Sequence, residues 1–210
     1  AKLARDRGLP ILAHVSEQPA EIEACLEATG LTPPALLARE GVLGPDFTAV
    51  HATWLNDEDV AILAASGSGV CLCPTTECDL GDGVPRTRDL YASGVAMSVG
   101  SDSHAVIDPF AELRMVEYQA RAATGERCVL VNNKGEVAPA LMQIGHEHGY
   151  RALGLSAEGD RVHLRSDARA LQDTLDPLGA LFTAGHPGLI DKVEVAGEVL
   201  VSDGRHINQS

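Results

Sequence analysis

Short apolar runs alternate with amphipathic stretches over the first 124 residues of this chain. Four runs have the length and aliphatic composition of β-strands buried on both faces, at residues 9–15, 47–51, 70–73 and 95–99. Apolar positions at helical spacing predict helices at residues 19–29, 33–40, 57–66, 88–93 and 110–124. This alternation predicts an α/β fold with a parallel sheet, either an open doubly wound sheet or half of an eight-stranded barrel.

Capping and turn residues mark the expected ends of these elements. Asn56 can cap a helix whose first turn is acidic, and Gly30, Gly67 and Gly94 stand where helices should end. The polar stretch at residues 74–85 carries no helical pattern. It is therefore expected to be a long loop after the third strand, of the kind that is often functional.

The remainder of the chain has a different pattern. Residues 125–136 are polar and predict a loop, and residues 137–150 predict a helix. Three short alternating stretches follow, at residues 162–164, 193–195 and 199–201. With Gly197 in an expected hairpin turn, they predict a small antiparallel sheet that has one covered face.

Composition and charge narrow the classes of function. Hydrophobic residues make up 45% of the 210 residues, and the formal net charge is −14. An acidic chain without a Lys/Arg cluster is not expected to bind nucleic acid or an anionic membrane surface. The five cysteines form no Cys-x-x-Cys pair, which argues against a disulfide framework. No signal-like or membrane-length apolar run is present in the sequence, so a cytoplasmic location is expected.

Polar residues follow three of the predicted strands. His14, His51 and Asp102 end the first, second and fourth strands, and Glu17 and His104 lie shortly after. Because the carboxyl ends of parallel strands share one rim, these side chains are expected to converge. Imidazole and carboxylate suit zinc, so His14 and Asp102 are the better ligand candidates and Glu17 the better proton carrier. Each could instead be an ordinary hydrogen-bonded residue at a strand end.

A second histidine pair occurs at His146 and His148, separated by Glu147. Residues two apart on a helix face different directions, so this pair is poorly placed to share a metal ion. An exposed helix end before Gly149 is the favoured interpretation.

Four motifs in this order resemble those of the amidohydrolase superfamily, in its metal-dependent deaminase branch. They are His-Val-Ser-Glu-Gln at 14–18, Val-His-Ala-Thr at 50–53, Thr-Thr-Glu-x-x-Leu-Gly-Asp-Gly at 75–83 and Gly-Ser-Asp-Ser-His at 100–104. The motif at 75–83 makes the chain most similar to formimidoylglutamate deiminases. The resemblance implies the C-terminal half of a (β/α)8 TIM barrel, strands 5 to 8, over residues 1–152. Residues 153–210 would be part of a small antiparallel β-sandwich.

The resemblance also implies roles for individual residues. His14 and Asp102 would be ligands of one Zn²⁺, with Fe²⁺ or another divalent ion as alternatives, and Glu17 would shuttle the proton. His51 would orient the attacking water. Substrate-binding or supporting roles would fall to Gln18, Glu77, Asp82, Ser103 and His104.

The implied reaction converts N-formimino-L-glutamate and water to N-formyl-L-glutamate and ammonia. The partner would be this small-molecule substrate, and the full-length enzyme is expected to be a homodimer. The chain begins without methionine and ends just after a strand pattern, which favours a fragment of a longer protein. The resemblance implies that two further ligands, a His-x-His pair, lie upstream of residue 1. Such a fragment is expected to be inactive alone. Two alternatives remain: a deaminase or chlorohydrolase acting on guanine, cytosine or a triazine, and a non-catalytic α/β module.

Overall fold

A computed structural model describes residues 1–103 and 106–208. Its first part is a four-stranded parallel sheet in the order β1-β2-β3-β4. The strands are β1 Ile11–Val15, β2 Phe47–His51, β3 Gly69–Leu72 and β4 Met97–Val99. The helices up to the end of this part are α1 Lys2–Asp6, α2 Pro19–Thr29, α3 Pro33–Arg39, α4 Asp57–Ser66, α5 Pro74–Leu80, α6 Thr87–Ala92 and α7 Pro109–Thr124. The predicted α/β class and parallel sheet are confirmed.

Local sequence signals account for most of the helix ends. The Asn56 side chain accepts a hydrogen bond from the Asp59 N–H, and the Asp59 carboxylate accepts one from the Asn56 N–H, which makes a capping box. Gly30 and Gly67 end their helices in the left-handed conformation, with φ of 72° and 71°. These residues therefore fix where α4 begins and where α2 and α4 end.

The hydrophobic core lies between one face of the parallel sheet and the helices. In-register residues Ala49, Val70 and Met97 are buried on that face. Leu63 of α4 and Val116 of α7 belong to the same core cluster and are both 0% exposed. Together they fix the sheet on which the polar strand ends are displayed.

The expectation that β1 is buried on both faces is wrong. Its burial alternates, and Leu12 is 43% exposed. β1 is an edge strand of the described sheet, with β2 as its neighbour, and the face carrying Leu12 and His14 has little packed against it. His14 is therefore accessible.

Two predictions of secondary structure need correction, and one helix has no counterpart among the predictions. Residues 74–80 form α5 and not a loop, because their polar side chains are buried in hydrogen bonds that periodicity does not reveal. The helix expected over residues 137–150 is two helices, α8 Val137–Gly145 and α9 Glu147–Leu153, which meet at His146. Pro177–Ala184 forms α10, which packs against α7 and α8. No helix is predicted at these residues from the sequence pattern.

The second part is a four-stranded antiparallel sheet in the order β5-β6-β7-β8. Its strands are β5 Arg161–Leu164, β6 Ile190–Val195, β7 Glu198–Ser202 and β8 Arg205–His206, and a short 3₁₀ helix, Pro187–Leu189, precedes β6. The predicted hairpin is confirmed, with both turn residues left-handed, Ala196 at φ 51° and Gly197 at φ 83°. Within the described residues, no helix is both long and apolar enough to span a membrane.

Candidate metal and proton-transfer site

Four of the predicted side chains converge at the carboxyl end of the parallel sheet. His14 Nε2 lies 3.8 Å from Asp102 Oδ1, and His14 Nδ1 lies 4.0 Å from Glu17 Oε2. His51 Nε2 lies 3.6 Å from Glu17 Oε2 and 3.7 Å from Asp102 Oδ2. The imidazole rings of His14 and His51 meet edge to face with centroids 5.0 Å apart. The rim expected from the strand order is thus formed by residues of β1, β2 and the segment after β4.

Left-handed backbone at two of these positions directs the side chains into the site. Alternation along β2 would place His51 on the same face as the core residues Phe47 and Ala49. Its φ of 70° differs from a strand value by about half a turn about N–Cα, which moves Cβ to the other side. Asp102 has φ of 43°. Non-glycine residues in this region are uncommon, although His and Asp tolerate it better than most.

Glu77 of α5 holds the His51 ring from behind. His51 and Glu77 are both 0% exposed, and His51 Nδ1 lies 3.3 Å from Glu77 Oε1. The same oxygen accepts a hydrogen bond of 2.8 Å from the Cys73 N–H. A carboxylate can only accept, so Nδ1 carries the hydrogen, and in the neutral ring Nε2 faces the site as an acceptor. Burial lowers the pKa of His51, but the hydrogen bond to Glu77 and the charges of Glu17 and Asp102 outweigh it, so the pKa is raised.

Glu17 is half-buried, and ligand atoms of Glu17, His51 and Asp82 lie within 4.8 Å of one another. Burial raises the pKa of Glu17, and the neighbouring Asp82 carboxylate raises it further, while His51 and His14 act in the opposite direction. A carboxyl group with a raised pKa is better suited to carry a proton near neutral pH than an ordinary surface glutamate.

The turn that carries Glu17 is fixed by Glu21 of α2. The Glu21 carboxylate accepts hydrogen bonds from the Ser16 N–H at 2.8 Å and the Glu17 N–H at 3.0 Å. This role of Glu21 is not among those predicted from the sequence. An acidic residue in the first turn of the helix directly after a strand was the available signal.

Asp82 forms the far wall of the site. It is 1% exposed, accepts a hydrogen bond from Gln18 Nε2 through Oδ1, and its main-chain carbonyl accepts one of 2.7 Å from Trp54 Nε1. Its second carboxylate oxygen, Oδ2, is buried without a hydrogen-bond partner among the described residues. Gln18 and Asp82 are therefore joined in the structure, and one Asp82 oxygen is left for a ligand.

The donor set fits a divalent cation. Ligand atoms of His14, His51 and Asp102 all lie within 4.8 Å of one another. His51 Nε2 is buried and has no hydrogen-bond partner in the described parts of the chain, which is the state of a polar atom whose natural partner is a ligand. Two imidazoles and a carboxylate are a borderline donor set of the kind that zinc accepts.

The remaining predicted residues have different positions. Ser103 is exposed but contacts the buried Thr76 of α5, with 3.0 Å between the two hydroxyl oxygens. His104 lies outside the described residues. His148 Nδ1 lies 3.0 Å from the main-chain oxygen of Met97, and the His146 ring meets the Tyr150 ring edge to face, so each has a structural contact of its own. Thr76 is another residue that sequence analysis missed.

The fold and this site place the chain among known proteins. Residues 1–200 match the model of the amidohydrolase family, and the chain belongs to that family. It is 32% identical to the formimidoylglutamate deiminase of Pseudomonas aeruginosa over 96% of this chain and 47% of that protein. It is 27% identical to a 5-methylthioadenosine/S-adenosylhomocysteine deaminase of Pyrococcus furiosus over 99% of this chain and 50% of that protein.

Solved structures give the same picture of the fold. The chain superposes on an amidohydrolase from Brucella melitensis with a TM-score of 0.88 at 31% identity, covering 98% of this chain and 47% of that one. It also superposes on a zinc-bound adenosine deaminase from Xanthomonas campestris with a TM-score of 0.91 at 24% identity, covering all of this chain and 49% of that one. The chain thus spans about half the length of the curated relatives and structures it matches.

Proposed function

We propose that this chain is the C-terminal half of a metal-dependent hydrolytic deaminase. In this proposal β1 to β4 are strands 5 to 8 of a (β/α)8 barrel in residues 1–152, and residues 153–210 are part of a β-sandwich. The family match and the parallel strand order support it. The observation that carries the proposal is the convergence of His14, Glu17, His51 and Asp102 at the carboxyl ends of the strands, where barrel enzymes place their chemistry.

In this proposal His14 and Asp102 hold the cation, and zinc is the favoured ion. When bound, the cation supplies positive charge that lets a water molecule lose its proton near neutral pH. Glu17 Oε2, which lies between His14 Nδ1 and His51 Nε2, takes that proton and delivers it to the departing nitrogen. His51 offers Nε2 toward the same space and orients the water, while Glu77 fixes the ring from Nδ1.

We further propose N-formimino-L-glutamate as the substrate, with N-formyl-L-glutamate and ammonia as products. The support is the relative from Pseudomonas aeruginosa that bears this name, together with the motif at residues 75–83. That motif forms most of α5 and includes Asp82, whose Oδ2 has no hydrogen-bond partner among the described residues and is suited to accept an N–H of an amidine. A cytoplasmic homodimer remains a prediction for the full-length protein.

A second candidate is deamination of a purine nucleoside or another ring substrate. Several relatives are named 5-methylthioadenosine/S-adenosylhomocysteine deaminase, at 25 to 30% identity. Guanine, cytosine and triazine substrates belong to the same alternative. Trp54, which is 47% exposed beside Asp82, is a flat apolar surface on which such a ring could stack.

Ammonia release by the full-length gene product that contains this chain tests these candidates. The zinc-loaded protein is given N-formimino-L-glutamate, 5′-methylthioadenosine, guanine and cytosine in parallel. The Glu17→Gln variant, which lacks the proposed proton carrier, is assayed in the same way. We expect turnover of N-formimino-L-glutamate that Glu17→Gln abolishes. Turnover of a ring substrate alone would favour the second candidate. Turnover unaffected by Glu17→Gln would contradict the assigned site, and no turnover at all would favour a non-catalytic module.

A further inference from the structure

One buried hydroxyl group touches the chain on both sides of Asp102. Thr76, in the first turn of α5, is 0% exposed. Its Oγ1 lies 2.9 Å from the main-chain oxygen of Ser101, 3.2 Å from the Ser103 N–H nitrogen and 3.0 Å from Ser103 Oγ. Asp102, one of the proposed ligands, is the residue between these two serines.

The donor and acceptor roles around this hydroxyl follow from its chemistry. A carbonyl can only accept, so Thr76 donates its one hydrogen to the Ser101 carbonyl. Its oxygen then accepts from the Ser103 N–H and from the Ser103 hydroxyl. One side chain thus bridges the residue before Asp102 and the residue after it. This bridge holds a turn in which Asp102 has φ of 43°, a conformation that persists only where its surroundings enforce it.

Thr76 is itself held in place by a neighbouring helix. The preceding residue, Thr75, donates its N–H to Glu112 Oε2 of α7 at 3.1 Å and its hydroxyl to Glu112 Oε1. The following residue, Glu77, reaches His51. The first turn of α5 therefore contacts both sides of the site, and α7 fixes the position of that turn.

We infer that Thr76 is a positioning residue for Asp102. By binding the residues before and after Asp102, Thr76 fixes the position of the carboxylate that would hold the metal. The inference rests on the proposed function, because it assumes that Asp102 is a ligand. Loss of such supporting contacts typically weakens metal binding about 10- to 100-fold. A hydroxyl that merely filled space would have no such effect.

Zinc affinity of the full-length gene product, measured by competition with a chromophoric chelator, tests the inference. Thr76→Val keeps the shape of the side chain and removes the hydroxyl, and we expect zinc to bind about 10- to 100-fold more weakly. Thr76→Ser keeps the hydroxyl and should restore the parent affinity. Thr48→Val is the matched control, because Thr48 is a buried threonine of β2 at the other end of the sheet.

Turnover at saturating zinc gives a second measurement, in which Thr76→Val should lower kcat more than it raises KM. A folded Thr76→Val protein that binds zinc as tightly as its parent would overturn the inference. If that variant does not fold, Thr76→Ala removes the same hydroxyl and carries the same expectation. A parent that binds no zinc would refute the proposed function and the inference together, whereas unchanged affinity in the variant alone would refute only the inference.

Discussion

Glu77→Gln isolates the electrostatic support of His51. In the parent, Glu77 Oε1 accepts from the Cys73 N–H at 2.8 Å and faces His51 Nδ1 at 3.3 Å. Glutamine keeps an oxygen at that position and nearly the same volume, so both contacts can persist. What the substitution removes is the negative charge, in a place where both side chains are 0% exposed and water cannot compensate.

The size of the expected effect follows from these contacts. A hydrogen bond to a charged partner contributes about 1.5–3 kcal/mol, against about 1 kcal/mol for a neutral one. If the difference of about 0.5–2 kcal/mol appears in the transition state, kcat falls about 2- to 30-fold, because about 1.4 kcal/mol is tenfold. KM should change less than kcat, because Glu77 contacts His51 Nδ1, on the side of the ring that faces away from the site.

Steady-state ammonia release by the zinc-loaded full-length protein measures this effect. Glu117→Gln is the control, since Glu117 is also buried, at 1% exposed, but accepts hydrogen bonds from Val129 and Leu130 after α7. The Glu117→Gln variant should be less stable than the parent, but its kcat per folded molecule should be unchanged. A Glu77→Gln enzyme with parental kcat, or one no worse than Glu117→Gln, would refute the proposed support of His51.

Three further outcomes are expected. Asp102→Asn should weaken zinc binding and, like Glu17→Gln, lower kcat by orders of magnitude, measured by chelator competition and ammonia release; parental turnover in either would contradict the site. Burial raises the pKa of Glu112, while its hydrogen bonds from Thr75 act in the opposite direction. The ionised carboxylate therefore costs stability above its unfolded pKa, and the cost disappears as the pH falls below that value. Glu112→Gln loses one of the two acceptor oxygens that Thr75 uses, which costs stability at every pH, but it cannot ionise. Its free energy of unfolding in urea should therefore rise relative to that of the parent between pH 4 and pH 8; a difference independent of pH would contradict this. Asn56→Ala should cost about 1 kcal/mol by urea unfolding through loss of the capping box, with Asn56→Asp as the near-neutral control.

Elements with regular patterns could be predicted from the sequence. The bounds of α2 and β2 agree with prediction to the residue, because each has strong punctuation at its ends. The motifs at strand ends also predicted which side chains would meet, since parallel strands bring their carboxyl ends together by geometry alone. His14, Glu17, His51 and Asp102 are close together for that reason.

Features that depend on tertiary contacts could not be predicted in this way. The helix α5 has no apolar stripe, and its buried residues Thr75, Thr76 and Glu77 are stabilised by hydrogen bonds to residues far away in sequence. Periodicity reports hydrophobic burial and not polar burial, so this segment looked like a loop. The left-handed φ of His51 could not be predicted from the sequence either, because the contacts that require it form only in the folded site.

The distribution of the anomalous signal at the zinc absorption edge, in crystals of the full-length gene product, tests the central claim most directly. We expect one strong peak at the carboxyl end of the parallel sheet, about 2.0–2.2 Å from a His14 nitrogen and an Asp102 oxygen. Asp102→Asn should weaken or remove this peak. A fully loaded protein with no peak between His14 and Asp102, or with its metal at His146 and His148 instead, would contradict the account.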